Sequence, residues 1–581
     1  MKINNNQISD AYLQQTITLK GWVKKVRKLG NLVFVDIRDR YALVQIFAHH
    51  DDLVFKQLNE LNREDVIYVT GELLVRKQKN PDLLTGNYEL HAHHVEVLSK
   101  AKTPPLIIEN ETDANEDVRF AYRYLDLRRP KNLQTFQLRS KVAHIIRSFL
   151  HSLDFIETET PILGKPTPEG ARDFLVPTRS HKFYALPQSP QIFKQLLMVA
   201  GFEKYFQITK CFRDEDLRSD RQPEFTQVDL EMSFVNEQDI QDLIEVLLKR
   251  VFAEALNYEL KTPFLRMTYA DAFHNYGTDK PDLRYELKIR DTNNLFAESS
   301  SKILQNIVSE GKVVRYLYTG ELLTKKQVQD LEKYAKDKQA KGLIWMRIEN
   351  GIVVDGSFAK LKEDHSLYLQ LLDKHQLTSG TLLLVADNYE IATEALGIVR
   401  TQLASVLNLK NTQSYAFVWI VDWPLYEFDQ DTNRYVAAHH PFTAPQQQCI
   451  NDFDTNQKDA LGRSYDIVLN GYELGGGSVR IINPDVQKRM FSSINLSAQE
   501  IEQKFGFLLE AFSYGVPPHA GIALGLDRLI MILINSEMIK DVVVFPKNNQ
   551  GVDMMMHAPS FVSDEELVDL GVQNVKPKPE K

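Results

Sequence analysis

YFQITKCFRDEDLRSDRQPEFTQVDLEMS, residues 205–233, has two alternating stretches around a charged loop that contains a proline, the pattern of an antiparallel hairpin. Strand parity sorts its second arm: Val228, Leu230 and Met232 face one way, and Phe225, Gln227, Asp229 and Glu231 the other. Arg213 and Glu215 close the first arm. A face that carries an aromatic ring, an amide, carboxylates and an arginine is too polar for a core and too particular for a random surface. It reads as the floor of a ligand site.

Two later segments carry related chemistry. In YDIVLNGYELGGGSVRI, residues 465–481, Asp466 and Glu473 precede three glycines and Arg480. Two carboxylates suit Mg²⁺, which takes oxygen ligands and bridges protein to polyphosphate. The glycines either let backbone approach a ligand or make a turn. In HAGIALGLDRLIMIL, residues 519–533, Gly525, Leu526, Asp527 and Arg528 open an apolar helix. A capping aspartate accounts for the helix start but not for an arginine at the apolar boundary.

Around these segments the chain is long enough, at 581 residues, for two to four domains, and 43% hydrophobic with 25% charged residues is a globular composition. The N-terminal text MKINNNQISDAY lacks an apolar core of signal-peptide length, so a cytoplasmic protein is expected. Cys211 and Cys449 are too far apart in sequence for a zinc motif or a disulfide framework, which leaves oxygen ligands for any metal. A formal charge of −9 disfavours nucleic-acid binding by the chain as a whole, but KGWVKKVRK, residues 20–28, holds five basic residues and no acid. That run is either a backbone-contacting patch or a solvated lysine-rich strand.

Residues 18–97 read as five short strands with one interposed helix, an OB-type barrel. Alternation turns Val33, Val35, Ile37, Val44 and Ile46 inward and Phe34 and Gln45 outward, where Phe34 serves as a base-stacking platform or as part of a second small core. Residues 99–118, with a Pro pair and acidic text, read as a linker. Val142, Ile145, Ile146, Phe149 and Leu153 mark a helix that feeds the strand FIETETPIL, and a second helix follows Asn236. Residues 288–410 carry no chemical motif and read as an insertion; Thr324 with Gln327 makes a capping box for a helix ending near Gly342.

The order of helix and strand ending at Pro161, FRDE at 212–215 and GLDR at 525–528 resembles motifs 1, 2 and 3 of the class II aminoacyl-tRNA synthetases. The OB-like domain narrows the resemblance to the aspartate, asparagine and lysine enzymes. TPEGARDF, QSPQIFKQLL, FRDEDLRSDRQPEFTQVDLE, HHPFT, NGYELGGGSVRI and GLDRL together resemble the bacterial-type aspartyl family (class IIb), over nearly the whole chain. RSHKFYALPQ is shorter before Phe183 than the family pattern, and KNNQGVDMMMHAPS departs from it.

The resemblance implies an α+β multidomain fold: a five-stranded OB barrel for the anticodon (1–100), a linker (101–118), a catalytic domain on an antiparallel sheet in two parts (119–287 and 411–581), and an inserted α+β domain of the bacterial, GAD-like kind (288–410). It implies activation of L-aspartate with ATP, then transfer to tRNA(Asp), by a homodimer. Arg213, Glu473 and Arg528 are the implied catalytic groups. The implied ATP contacts are Arg213, Asp214, Glu215, Gln222, Phe225, Glu473, Gly525, Leu526, Asp527 and Arg528, with Mg²⁺ on Asp466 and Glu473. For aspartate the resemblance implies Glu169, Ser189, Gln191, Lys194, Arg213, Asp229, His439 and Arg480, the last with Lys194 on the side-chain carboxylate, where a bidentate guanidinium suits an anion. Phe34, Gln45 and Glu89 are implied on the anticodon. Leu29 stands where relatives that charge both tRNA(Asp) and tRNA(Asn) often carry His, and so points to tRNA(Asp) alone. Two other readings, an ammonia-dependent asparagine synthetase and a tRNA-binding regulator with a degenerate site, leave the OB domain and the intact Arg213, Glu473, Arg480 and Arg528 respectively unexplained.

Overall fold

The computed structural model describes residues 1–167, 170–292, 302–357, 370–373, 376–573 and 575. The chain forms two compact units, Met1–Gln137 with Val544–Ser560, and Leu138–Val543 with Phe561–Lys581.

In the first unit, strands Thr16–Leu29, Leu32–Arg38, Leu43–His49, Tyr88–Ser99 and Val66–Val75 close a barrel in that spatial order, with helix Phe55–Asn59 between the third and fourth in sequence. Parity sets the interior: Val33, Val35, Ile37, Val44 and Ile46 are fully buried, and Phe34 looks outward. After the barrel no regular element forms until helix Glu116–Ala121, whose first turn is capped by Asn115. Buried Arg123 pairs with Asp126 and donates to the Val544 carbonyl at 2.8 Å. Residues 544–560 pack with the N-terminal unit, along with 119–137, and not with the catalytic part to which the sequence reading assigned both, and the Arg123–Val544 bond is one of the contacts that join them.

The second unit is built on an eight-stranded sheet in the order Leu265–Thr268, Phe417–Val421, Ser464–Leu469, Tyr472–Val479, His519–Gly525, Glu224–Ser233, Lys204–Phe212, Ile156–Glu157. The six central strands are antiparallel and each edge strand is parallel to its neighbour. Val142, Ile145, Ile146 and Phe149 of helix Pro130–His151 and Ile240, Ile244, Leu247, Val251 and Phe252 of helix Glu237–Leu256 share one core with the sheet residues Val228, Leu230, Ile467 and Ile522. Each such side chain contributes about 1.5–3 kcal/mol on burial. With one face of the sheet filled by these helices, the polar parity of the hairpin is left for the other face.

Two boundaries differ from expectation. The first helix stops at His151, and Asp154 takes φ 63°, so Leu153 falls outside the helical stripe and is partly exposed. The strand read as FIETETPIL is only Ile156–Glu157.

The inserted segment forms a five-stranded sheet, Arg290–Asp291, Val313–Thr319, Gly380–Asp387, Ile344–Glu349, Ile352–Gly356, packed with helices Lys325–Asp337 and Tyr389–Val406. The Thr324/Gln327 capping box is present, and the helix ends at Asp337 instead of reaching Gly342. Arg400, fully buried, fastens the entry to this segment: it donates to the carbonyls of Asp282 (2.8 Å), Tyr285 (3.1 Å) and Leu287 (2.5 Å).

Candidate active site

The hairpin pairs Glu224 with Phe212 through Met232 with Lys204, which puts Phe225, Gln227 and Asp229 along one wall of a cavity of about 450 Å³. Ser189, Gln191 and Lys194 reach it from helix Gln191–Val199 and the turn before it; Asp466, Glu473 and Arg480 come from the next hairpin; and Gly525, Asp527 and Arg528 come from the start of helix Leu526–Leu533. Arg213, Glu215, Gln222 and His439 complete the set that the structure brings together from the sequence-derived candidates.

At the buried end, four charges balance. Lys194 Nζ lies 2.7 Å from Asp229 Oδ1 and 3.2 Å from Glu231 Oε2, and Arg480 donates Nε and Nη2 to the two oxygens of Glu231 at 2.8 and 3.0 Å. Burial alone would raise the Glu231 pKa, yet Arg480 and Lys194 hold it at about 2. Asp229 goes the other way, because its burial outweighs the attraction of Lys194. Asp229 Oδ2 and Gln191 Nε2 are buried without a geometric hydrogen-bond partner, and Tyr205 lies near enough to Asp229 to lower its pKa against the effect of burial.

The expected bidentate fork for a substrate carboxylate is therefore already engaged. Nη1 of Arg480 donates to Ser478 Oγ at 2.6 Å and to His440 Nε2 at 2.7 Å, so with Glu231 satisfied one Nη2 hydrogen remains. His440 must present a lone pair on Nε2 to that guanidinium. Burial first, then the Arg480 charge, push its pKa well below 6.5 and keep the ring neutral. Glu231, Ser478 and His440 were not among the candidate site residues, although parity placed Glu231 on the right face and the His-His pair at 439–440 was in view.

Arg213 lays its guanidinium over the Phe225 ring, 5.1 Å from the centroid, with Nε unpartnered. Arg528 is held by the Glu473 carbonyl and by Asp220 Oδ2 at 3.2 Å.

Asp466 accepts from His439 Nε2 at 3.0 Å. Its burial, with Glu473 adding like charge, raises its pKa to about 6 against the pull of His439. Asp466 is partnered by His439, and Glu473 by Arg528 at 4.0 Å, and the two carboxylates still offer the oxygen ligands that a divalent cation takes. A Cβ on Gly476 would stand 2.5 Å from Asp466 Oδ1, so the glycine keeps that carboxylate uncovered. Among the described residues no group of three or more His, Cys, Asp or Glu is set to hold a metal, so the two carboxylates would need phosphate or water oxygens beside them.

The other glycines have a different cause from the one the sequence offered. A Cβ on Gly477 would lie 2.1 Å from the Gly521 carbonyl, and one on Gly475 2.3 Å from that of Ala523. They admit the neighbouring strand His519–Gly525 and, lining the cavity, leave main chain as its wall.

Three candidates fall outside the cavity wall or the described residues. The Leu526 side chain belongs to the hydrophobic core, as the apolar helix to which it belongs requires. Asp214 is exposed, and its N–H bonds the Arg172 carbonyl at 3.1 Å. Glu169 lies outside the described residues. Asp527 lines the cavity, but its carboxylate is taken by Arg139 and by the Thr226 N–H at 2.6 Å, so it braces the hairpin.

On the barrel, Gln45 donates to Glu89 Oε2 at 2.9 Å and accepts from Arg27 at 3.1 Å and Arg76 at 2.6 Å. Phe34, on the adjoining strand, faces the same way. Leu29 is exposed at the end of the first strand.

Residues 115–549 match the family of tRNA synthetases class II (D, K and N), and residues 17–98 match the OB-fold nucleic acid binding domain. The chain is 61% identical over 574 residues to the aspartate–tRNA ligase of Ureaplasma parvum serovar 3, covering 99% of each. It is 46% identical over 576 residues to the aspartate–tRNA(Asp/Asn) ligase of Anoxybacillus flavithermus, covering 97% of each. Among solved structures, the aspartyl tRNA synthetase from Entamoeba histolytica superposes with a TM-score of 0.58 at 19% identity, over 94% of this chain and 92% of that one. The asparaginyl-tRNA synthetase from Pyrococcus horikoshii, complexed with asparaginyl-adenylate, gives a TM-score of 0.58 at 18% identity, over 94% and 98%. These two likenesses speak to the fold; the family match over most of the chain and the identity to curated relatives speak to descent. The chain belongs to the class II tRNA synthetases of the D, K and N group.

Proposed function

We propose that this chain is an aspartate–tRNA ligase that forms aspartyl-adenylate from L-aspartate and ATP and then charges tRNA(Asp). The observation that carries the reading is the buried quartet Lys194, Asp229, Glu231 and Arg480. The curated relatives that match the full chain bear the same activity in their names.

Aspartate brings an ammonium to Asp229 and so releases Lys194, which turns with the free Nη2 hydrogen of Arg480 to the side-chain carboxylate. Asparagine offers no charge to Lys194 or to the Nη2 hydrogen of Arg480 that Glu231 leaves free, and the loss of that charge-assisted contact is the basis of the selectivity. Gln191 joins Asp229 around the ammonium, with Ser189 near it, and one oxygen of the α-carboxylate attacks the α-phosphorus of ATP. The bond from that phosphorus to the bridging oxygen breaks and pyrophosphate leaves with the electron pair. Arg213 neutralises the charge that gathers on the α-phosphate, while Phe225 and Arg528 clamp adenine and Glu215 and Gln222 border it. Mg²⁺, when bound at Asp466 and Glu473, would neutralise the polyphosphate. In the second step a hydroxyl of the terminal tRNA ribose attacks the mixed-anhydride carbonyl and AMP departs. Positioning and electrostatics supply the rate enhancement.

The barrel is assigned to the anticodon through Phe34, Gln45 and Glu89, and Leu29 favours tRNA(Asp) alone. Partly exposed Ile156, Ile162 and Leu163, around the short strand that follows the first helix, support a homodimer. Among the described residues no helix is long and apolar enough to cross a membrane. ATP–pyrophosphate exchange with aspartate, asparagine or lysine tests the first step, and exchange with aspartate alone is expected. Charging of purified tRNA(Asp) and tRNA(Asn) tests the second; equal charging of both would replace this assignment with a non-discriminating ligase.

A further inference from the structure

The outer face of the barrel carries a row of rings that runs past the three residues assigned to the anticodon. Phe34 and Phe47 are cross-strand partners with ring centroids 6.3 Å apart. Phe47 is in register with His91 on the last strand, and these two rings stack at 4.9 Å with 10° between their planes. His49 meets both of them edge-on at 5.7 Å, and His93 meets His91 edge-on at 5.2 Å. Parity sends Glu89, His91 and His93 outward together, so the face has a polar end at Gln45 and Glu89 and an imidazole end beyond it. The His91 ring is fixed by Asp52 Oδ2, 2.9 Å from Nε2, while His49 and His93 are exposed.

A histidine cluster on a surface raises the question of a metal, but among the described residues no such group has the arrangement to hold one. A stack of planar rings with one imidazole face laid on Phe47 suits another planar ring. The matched domain is a nucleic acid binding fold, and Arg27, in register with Phe34, belongs to a strand that carries five basic residues between 20 and 28 and no acid. Single-stranded bases are held by aromatic platforms beside cationic side chains, and here Arg27, paired with Asp36 at 2.9 Å, is the basic group in register with Phe34.

We propose that His91, backed by Phe47 and edged by His49 and His93, is a further base-stacking site, which takes one unpaired base of the tRNA anticodon loop next to those at Phe34, Gln45 and Glu89. It rests on the reading of the barrel as the anticodon domain. The base and the two rings beneath it form a three-layer stack, and the His91 to Asp52 bond orients the middle layer before RNA arrives.

The test is the KM for tRNA(Asp) transcript in aspartate charging by the full-length chain, for wild type, Phe34→Ala, His91→Ala, His91→Phe and His93→Ala, with unfolding midpoints measured alongside. Loss of one stacked base weakens binding on the order of tenfold. His91→Ala is expected to raise KM by that factor, and His91→Phe, which keeps a ring, to stay within about twofold of wild type. The His91→Ala penalty is expected to vanish on a transcript made abasic at one of the two positions flanking the triplet. A wild-type KM for His91→Ala, or a phenylalanine variant as weak as alanine, overturns the site. If His91→Ala lowers the unfolding midpoint, His93→Ala decides: a raised KM supports the site and an unchanged KM overturns it. Phe34→Ala separates the two readings, since no effect there removes the anticodon assignment as a whole, whereas an effect there with none at His91 removes only this extension.

Discussion

Arg480→Leu separates what holds the pocket together from what reads the amino acid. The guanidinium and Glu231 share two hydrogen bonds at 2.8 and 3.0 Å, with both side chains at most 1% exposed. Removing one partner of a buried pair costs about 3–5 kcal/mol, most of it from the charge left behind. Lys194 still stands 3.2 Å from Glu231, which places the loss near the lower end, about 3 kcal/mol. Glu231→Gln in the same chain removes the stranded charge and should return about 1–2 kcal/mol. Recognition follows a different course: truncating one side of a charged contact with the substrate costs about 2–5 kcal/mol, roughly 30- to 5,000-fold in kcat/KM for aspartate. Urea unfolding and ATP–pyrophosphate exchange on both variants read the two quantities. Stability is expected to recover in the double variant and exchange is not. A folded Arg480→Leu that exchanges with aspartate within threefold of wild type would refute the assignment, and so would a double variant that regains exchange with its stability.

Gly477→Ala puts a Cβ 2.1 Å from the Gly521 carbonyl, so the central strands must part; a loss of about 3 kcal/mol is expected in thermal or urea unfolding. His440 gives a pH dependence whose sign follows from its depressed pKa. The fold keeps the ring neutral while the unfolded chain takes up a proton below about 6.5, so the stability this group contributes is complete above pH 6.5 and falls away below it. Relative to His440→Gln, wild type should lose about 1.4 kcal/mol for each pH unit below that point until the folded ring protonates, and parallel profiles for the two proteins would exclude it. Arg400→Met leaves the carbonyls of Asp282, Tyr285 and Leu287 without their buried donor, at about 1–3 kcal/mol each, and amide hydrogen exchange over residues 282–289 should quicken.

Parity made much of this site legible in advance. A strand has a period of two, so Phe225, Gln227, Asp229 and Glu231 had to share a face once residues 224–233 were read as a strand, and the helices with the 3.6 period had to cover the other. What parity cannot supply is the partner of each group. The resemblance gave Arg480 to a substrate carboxylate, but Glu231, 249 residues away in sequence, already holds two of its donors. It gave Asp527 to ATP, but Arg139 and the Thr226 N–H already engage that carboxylate. The same limit applies to residues 544–560, whose contacts with the first unit include a bond between Arg123 and a backbone carbonyl that no local pattern encodes. On the barrel, Phe34 and Gln45 stood out by alternation, whereas the histidines at 49, 91 and 93 became a group only when the third and fifth strands paired in parallel.

The run of glycines at 475–477 and its neighbour Gly521 also bear on redesign. A Cβ on Gly521 would meet Glu231 Oε2 at 1.8 Å, and one on Gly475 or Gly477 would meet the adjacent backbone. Main chain, not side chains, builds this wall, so substitution cannot enlarge it, and substitutions that reduce it break the sheet first. Anyone seeking to load a non-natural amino acid would leave these strands and the buried ion quartet untouched and randomise Gln191 and His440, whose side chains come from the helix and a loop segment.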